Sequence, residues 1–156
     1  MIDRDSRRFR TRRTLLRGAA TLAVVPWVPV RGADELPVIP ALETFLAGRK
    51  PRWERIRLVL PPLADNGQSV PMKITVDGPF APGSTVRALR LFSQKNPVPE
   101  MAVFEYPAPV ERVELESRVR LAGTQRIATL AEMTDGTLYA HSVEVVVTLA
   151  ACLDGS

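Results

Sequence analysis

Residues 112–121 read RVELESRVRL, and this stretch decides the fold class. Val113, Leu115, Val119 and Leu121 fall on one side of an extended chain, and Glu114, Glu116, Arg118 and Arg120 on the other. A period of two marks a strand with one face on a core and one in water. Working backward, VPMKITV (70–76) repeats the pattern: Val70, Met72, Ile74 and Val76 lie opposite Lys73 and Thr75. Pro71, which lacks an N–H, suits an edge strand there. Further strands are expected at IRLVL (56–60), VRALRLFS (86–93), MAVFEY (101–106), IATLAEM (127–133) and LYAHSVEVVVTL (138–149). The last two flank Thr134–Asp135–Gly136–Thr137, where Asp-Gly signals a hairpin.

PPLADNGQS (61–69), DGPFAPGS (77–84) and KNPVP (95–99) read as turn-rich connections. PALETFLAGRKPRW (40–53) predicts one short helix. Pro40 suits its first position, Leu42, Phe45 and Leu46 share a face, and Gly48 and Pro51 end it. Such a helix is expected to cover a sheet edge. About seven strands with closely spaced turns and no long helix predict an all-β, immunoglobulin-like antiparallel β-sandwich with a short N-terminal helix. The cysteine pair and core tryptophan of antibody domains are absent, so the likeness is one of architecture.

The chain has a net charge of +4 and a pI near 9.8, but the basicity is local. Residues 1–33 hold eight arginines and two aspartates, which leaves 13 of the 21 basic and 15 of the 17 acidic side chains in 34–156. The body is therefore close to −2, with no footprint for a nucleic-acid backbone. The basic residues precede LLRGAATLAVVPWVPV, and Thr11–Leu16 (TRRTLL) matches a twin-arginine export signal. A basic disordered arm is the alternative. Arg17, Pro26 and Pro29 interrupt the apolar run, which argues against a membrane span. The expected organisation is an export signal over 1–33, cleaved near Ala33, and a short helix and linker over 34–55. A sandwich over 56–149 and a mobile tail over 150–156 follow.

Export gives weight to Cys152, the only cysteine. An unpaired thiol in an oxidising compartment suggests intermolecular pairing or reactivity. Ala150 and Ala151 are too small to anchor in a core, and Asp154–Gly155–Ser156 is polar. Cys152 is thus expected on an arm reaching roughly 10–15 Å past the last strand. No cation lies within ten residues in sequence, and Asp154 is close, so the thiol pKa is expected at or above ~8.5. Such a thiol suits delivery to a site that activates it. A disulfide between two chains, or an inert residue on the Glu144/Val146/Thr148 face, are the other readings.

Elsewhere the chemistry is thin. One histidine and one cysteine do not make a zinc site. His141, which shares parity with Val143, Val145 and Val147, reads as a partly buried sheet residue before it reads as a base. No G-x-S-x-G frames a serine, and Asn66–Gly67–Gln68–Ser69 lacks the lysine of a phosphate loop. Glu111, Glu114 and Glu116 read as a solvated strand face. No catalytic residue, metal or cofactor is expected.

NGQSVP (66–71), FSQKNPVPEMAVF (92–104), SRVRLAGTQ (117–125), AEMTDGT (131–137) and the cysteine after a Val/Thr-rich strand together resemble the SoxY family. That family supplies the thiosulfate carrier subunit of the periplasmic sulfur-oxidising (Sox) system. The match runs in order from near Arg57 to the end. The resemblance implies a heterodimer with a SoxZ-like subunit and covalent attachment of sulfur intermediates to Cys152 as a cysteine S-thiosulfonate. It also implies three partner enzymes: a haem coupling enzyme, a sulfate-releasing hydrolase and a sulfur dehydrogenase. Tail flexibility falls to Ala150, Ala151 and Gly155. The family tail is usually Gly-Gly-Cys-Gly-Gly, whereas Leu153 and Asp154 here add bulk and charge beside the thiol.

Overall fold

The computed structural model describes residues 35–151. The export signal, Cys152 and Gly155 therefore lie outside the described residues. In chain order the elements are α1 (Pro40–Leu46), β1 (Ile56–Val59), β2 (Leu63–Asn66), β3 (Val70–Asp77) and β4 (Val86–Ser93), followed by β5 (Glu100–Glu105), β6 (Arg112–Val119), β7 (Gln125–Met133) and β8 (Leu138–Leu149). They form two sheets, one ordered β1-β3-β6 and the other β2-β8-β7-β4-β5. The protein is an all-β sandwich.

The alternating strands build the interior. Along β6 and the two residues after it, Val113 and Leu121 are buried while Glu114, Glu116, Arg118 and Arg120 are exposed. The register pairs Val76 with Val113, Ile74 with Leu115 and Val70 with Val119, so one apolar row lines the inner face of the small sheet. Leu89, Leu91, Ile127 and Val145 meet it from the large sheet. Each of these side chains contributes on the order of 1.5–3 kcal/mol on leaving water.

Outside the small sheet, Lys73 ion-pairs with Glu114 and Glu116, and Arg112 with Asp77. The paired lysine holds the Glu114 carboxyl below its ordinary value, and Glu114 in turn raises Lys73. The glutamate run is a solvated face, as its alternation implies.

The large sheet is apolar on both sides over β4, β7 and β8. Its outer face carries Phe92, Ala128, Leu130 and Ala140, and α1 covers these with Leu42, helped by Ile39. The helix thus lies over the middle of a face instead of an edge, because those outward positions need cover. Phe45 packs between the Arg90 and Arg49 guanidinium groups, 4.6 and 5.0 Å from its ring. Ala47, in the left-handed conformation at φ 47°, ends the helix one residue before Gly48.

Three expectations need correction. Residues 63–66, read as a turn, form the edge strand β2, which pairs with β8 in parallel through Leu63–Val146, Ala64–Val147 and Asn66–Leu149. The large sheet is therefore mixed, and the described strands number eight. Only Ala64 of β2 is buried, so its sequence carries no alternation to read. Finally, β3 is the central strand of its sheet, although β1 runs beside it only from Lys73 to Val76. Pro71 sits beyond that overlap, where β3 is locally an edge. Among the described residues no helix is long and apolar enough to cross a membrane.

Candidate functional site

The two ends of the sandwich differ, and the one from which Cys152 departs is the more elaborate. The β7–β8 pairing runs from Glu132–Leu138 to Gln125–Val145, so β8 outlasts β7. Beyond that point the Thr124 hydroxyl replaces the missing strand. It accepts the Val147 N–H at 3.0 Å and donates to the Val147 carbonyl at 3.4 Å. On the other side of β8 the chain after β2 continues the ladder, with Gly67 N–H donating to the Leu149 carbonyl at 2.7 Å.

Gly67 then links the sheets. Its carbonyl accepts the Leu121 N–H at 2.8 Å, and the Leu121 carbonyl accepts the Ala151 N–H at 3.1 Å. Ala151 is only 5% exposed. The expectation that Ala150 and Ala151 are too small to be anchored is therefore wrong for Ala151. Its side chain is buried and its N–H has a partner. Ala150 is exposed. Any free arm begins after Ala151, not at Ala150.

A buried polar network holds the loop that carries Leu121 and Thr124. Gln125, 3% exposed, accepts through Oε1 from the Ser93 hydroxyl and from the Lys95 N–H at 2.8 Å. Its Nε2 donates to Asn96 Oδ1 at 3.0 Å. Asn96 Oδ1 also accepts the Ala122 N–H at 3.0 Å, and Asn96 Nδ2 donates to the Arg120 carbonyl at 2.8 Å. The side chains of Gln125 and Asn96 thus cross-link the 93–99 loop to the 120–125 loop. Satisfied networks of this kind fix a single geometry.

NGQSVP contributes Gly67, KNPVP contributes Asn96, and RLAGTQ contributes Leu121, Thr124 and Gln125. Blocks separated by tens of residues meet at the root of the cysteine tail. This convergence was not legible in the sequence, because every bond that makes it is long-range. The one available signal was the presence of uncharged polar residues beside Gly and Pro in those blocks.

Two arginines lie at this end of the sandwich. Exposed Arg120 adjoins Leu121, and Arg118 Nε donates to Ser69 Oγ at 2.7 Å beside the Gly67 turn. Leu63 and Val146, 53% and 45% exposed, are register partners and lie side by side on the outer face of the β2–β8 edge.

His141 lies on β8 toward the other end. It is partly buried, and its Nδ1 accepts the Leu58 N–H at 3.3 Å, which places the neutral ring proton on Nε2. It stitches β1 to β8, as a sheet residue would. Among the described residues no group of three His, Cys, Asp or Glu side chains gathers to hold a metal.

Comparisons with known proteins bear on this geometry. No curated protein sequence matches the chain. Solved structures similar to it include superoxide reductase (neelaredoxin) from Ignicoccus hospitalis, at 11% identity and a TM-score of 0.47, covering 60% of this chain and 80% of that one. A putative superoxide reductase from Thermotoga maritima is 17% identical with a TM-score of 0.47, covering 60% of this chain and 87% of that one. The family model of the sulfur oxidation protein SoxY matches residues 42–152, from within α1 through the tail root to Cys152. The chain belongs to the SoxY family of sulfur oxidation proteins.

Proposed function

We propose that this protein is a non-enzymatic carrier on which sulfur intermediates are bound covalently to Cys152. The observation that carries the reading is the convergence of three sequence blocks on Ala151, the residue before that cysteine. A fold that places a network built on buried Ser93 and Gln125 at the root of a tail is suited to presenting what the tail bears. Family membership supports the sulfur chemistry.

The reaction begins with oxidative coupling. The thiol loses its proton, thiosulfate forms a sulfur–sulfur bond to it, and two electrons pass to a haem coupling enzyme, leaving a cysteine S-thiosulfonate. A hydrolase then adds water across the terminal bond, releasing sulfate and leaving a persulfide, whose outer sulfur a sulfur dehydrogenase oxidises. The carrier's part is to hold and present the adduct.

A SoxZ-like subunit is the proposed partner, and the exposed edge strand β2, with Leu63 beside Val146 on its outer face, is a surface suited to docking it. Twin-arginine export would place the carrier in the periplasm, where an unpaired thiol meets oxidants and sulfur substrates.

Intact-mass spectrometry of the protein isolated from thiosulfate-oxidising cells tests the reading. Adducts that disappear on reduction and are absent from Cys152→Ser are expected. A free thiol under those conditions, or a Cys152→Ser strain that oxidises thiosulfate at the wild-type rate, would remove it.

A further inference from the structure

We propose that Gly67 is a positioning residue for the thiol: its missing side chain lets the Leu121 carbonyl clasp the Ala151 N–H, which roots the tail one residue before Cys152. The inference rests on the carrier reading for its purpose but not for its geometry.

The argument starts from space. A Cβ built on Gly67 would overlap the Leu121 carbonyl oxygen and lie 2.9 Å from the Ala151 nitrogen and 3.1 Å from Val147 Cγ1. Two of these three atoms are the acceptor and donor of a single hydrogen bond, 3.1 Å long. The position a side chain would occupy at residue 67 is therefore the position of the clasp. The backbone of Gly67 does not have the positive φ seen at Gly48, Gly83, Gly123 and Gly136. Its requirement for glycine comes from close approach and not from conformation.

The clasp is a closed cycle. Gly67 N–H is bonded to Leu149, Gly67 C=O to Leu121, and Leu121 C=O to Ala151, so one glycine joins the end of β6, the end of β2 and the end of β8. Consecutive Cα atoms lie about 3.8 Å apart, so the cysteine backbone starts within one residue of this cycle. The tether is much shorter than one that begins at Leu149. With the clasp closed, a partner enzyme must come to the rim formed by the 66–69 turn and the 120–124 loop. With it open, Ala150 and Ala151 join the arm and lengthen it by roughly 7 Å, at about 3.3 Å per residue.

Cys152 is the only cysteine, so a nitroxide attached to it in the full chain reports the motion of the tether directly. Electron paramagnetic resonance of the wild type should give a correlation time at least twofold longer than that of Gly67→Ala. Ala151→Pro removes the donor without touching the glycine, and should free the label to the same extent. It keeps the test decisive if Gly67→Ala does not fold. Gly136→Ala strains the hairpin at the opposite end of the sandwich, where φ is 84°, and should leave the label at wild-type mobility. A wild-type label already as mobile as that of Ala151→Pro would overturn the clasp. So would a Gly136→Ala label loosened as much as that of Ala151→Pro. None of these measurements involves sulfur transfer, so an unloaded Cys152 in thiosulfate-oxidising cells would count against the carrier reading alone.

Discussion

The two ends of the sandwich solve the same problem in opposite ways. At the hairpin end the five residues 133–137 close the turn among themselves, and Thr134 reaches further, to the Thr85 backbone. Gly136 N–H bonds to the Met133 carbonyl at 3.0 Å, Thr137 N–H bonds to Asp135 Oδ1 at 2.9 Å, and Gly136 takes the left-handed conformation. The Thr137 N–H also holds the Asp135 carboxyl below its ordinary value. At the tail end the closure draws on residues 66–69, 93–99, 120–125 and 147–151, and local bonds play little part. A local turn secures a connection, whereas a long-range network fixes the position of a chain end. Only the second is useful for holding the root of a working tail.

The contrast can be broken at its strongest point by Gln125→Leu. This change strands the Ser93 hydroxyl and the Lys95 N–H in a buried site, and denaturant unfolding should show a loss of about 2–4 kcal/mol. The smaller cost of Gly136→Ala, about 1–2 kcal/mol from forcing a Cβ into the left-handed region, should appear in the same assay. Thr124→Val keeps the shape but removes the hydroxyl that stands in for β7, and should cost about 1 kcal/mol. Amide exchange should rise at Val147 in that variant and stay unchanged at Thr137.

The smallest effect lies away from both ends, at Lys73 and Glu114. Glu114 is held below 4.5 in the folded chain, so the pair stabilises above that pH and its contribution is lost as pH falls through the lowered value. Lys73 is raised above 10.5, so the contribution is lost again as pH rises through that raised value. The difference in Tm between wild type and Glu114→Gln should be modest at neutral pH, fade as pH falls through the lowered Glu114 value, and shrink with added salt, because both groups are solvent-exposed.

Legibility in the sequence follows the same division. The alternation in 112–121 and 70–76, the Asp-Gly hairpin and the short helix at Pro40 are encoded by neighbours, and each stands where the residues put it. β2 is encoded by β8: Leu63-Ala64-Asp65-Asn66 has one buried side chain and becomes a strand through its partner. Ala151 is a sharper case. Alone it looks like a small residue in a loose tail, and its anchoring exists only because Gly67 and Leu121, distant in sequence, bring a carbonyl to its N–H. The cation-poor sequence around Cys152 likewise says nothing of Arg118 and Arg120, which the fold brings to that end. Cys152 itself was singled out by its solitude, and the structure adds the device one residue before it.

Hydrogen exchange at the Ala151 amide, followed by NMR on the full chain, tests that device most directly. The account predicts exchange at least tenfold slower than in an unstructured peptide of the same sequence, with the protection lost in Gly67→Ala. An Ala151 amide that exchanges at the unstructured rate in the wild type would contradict it.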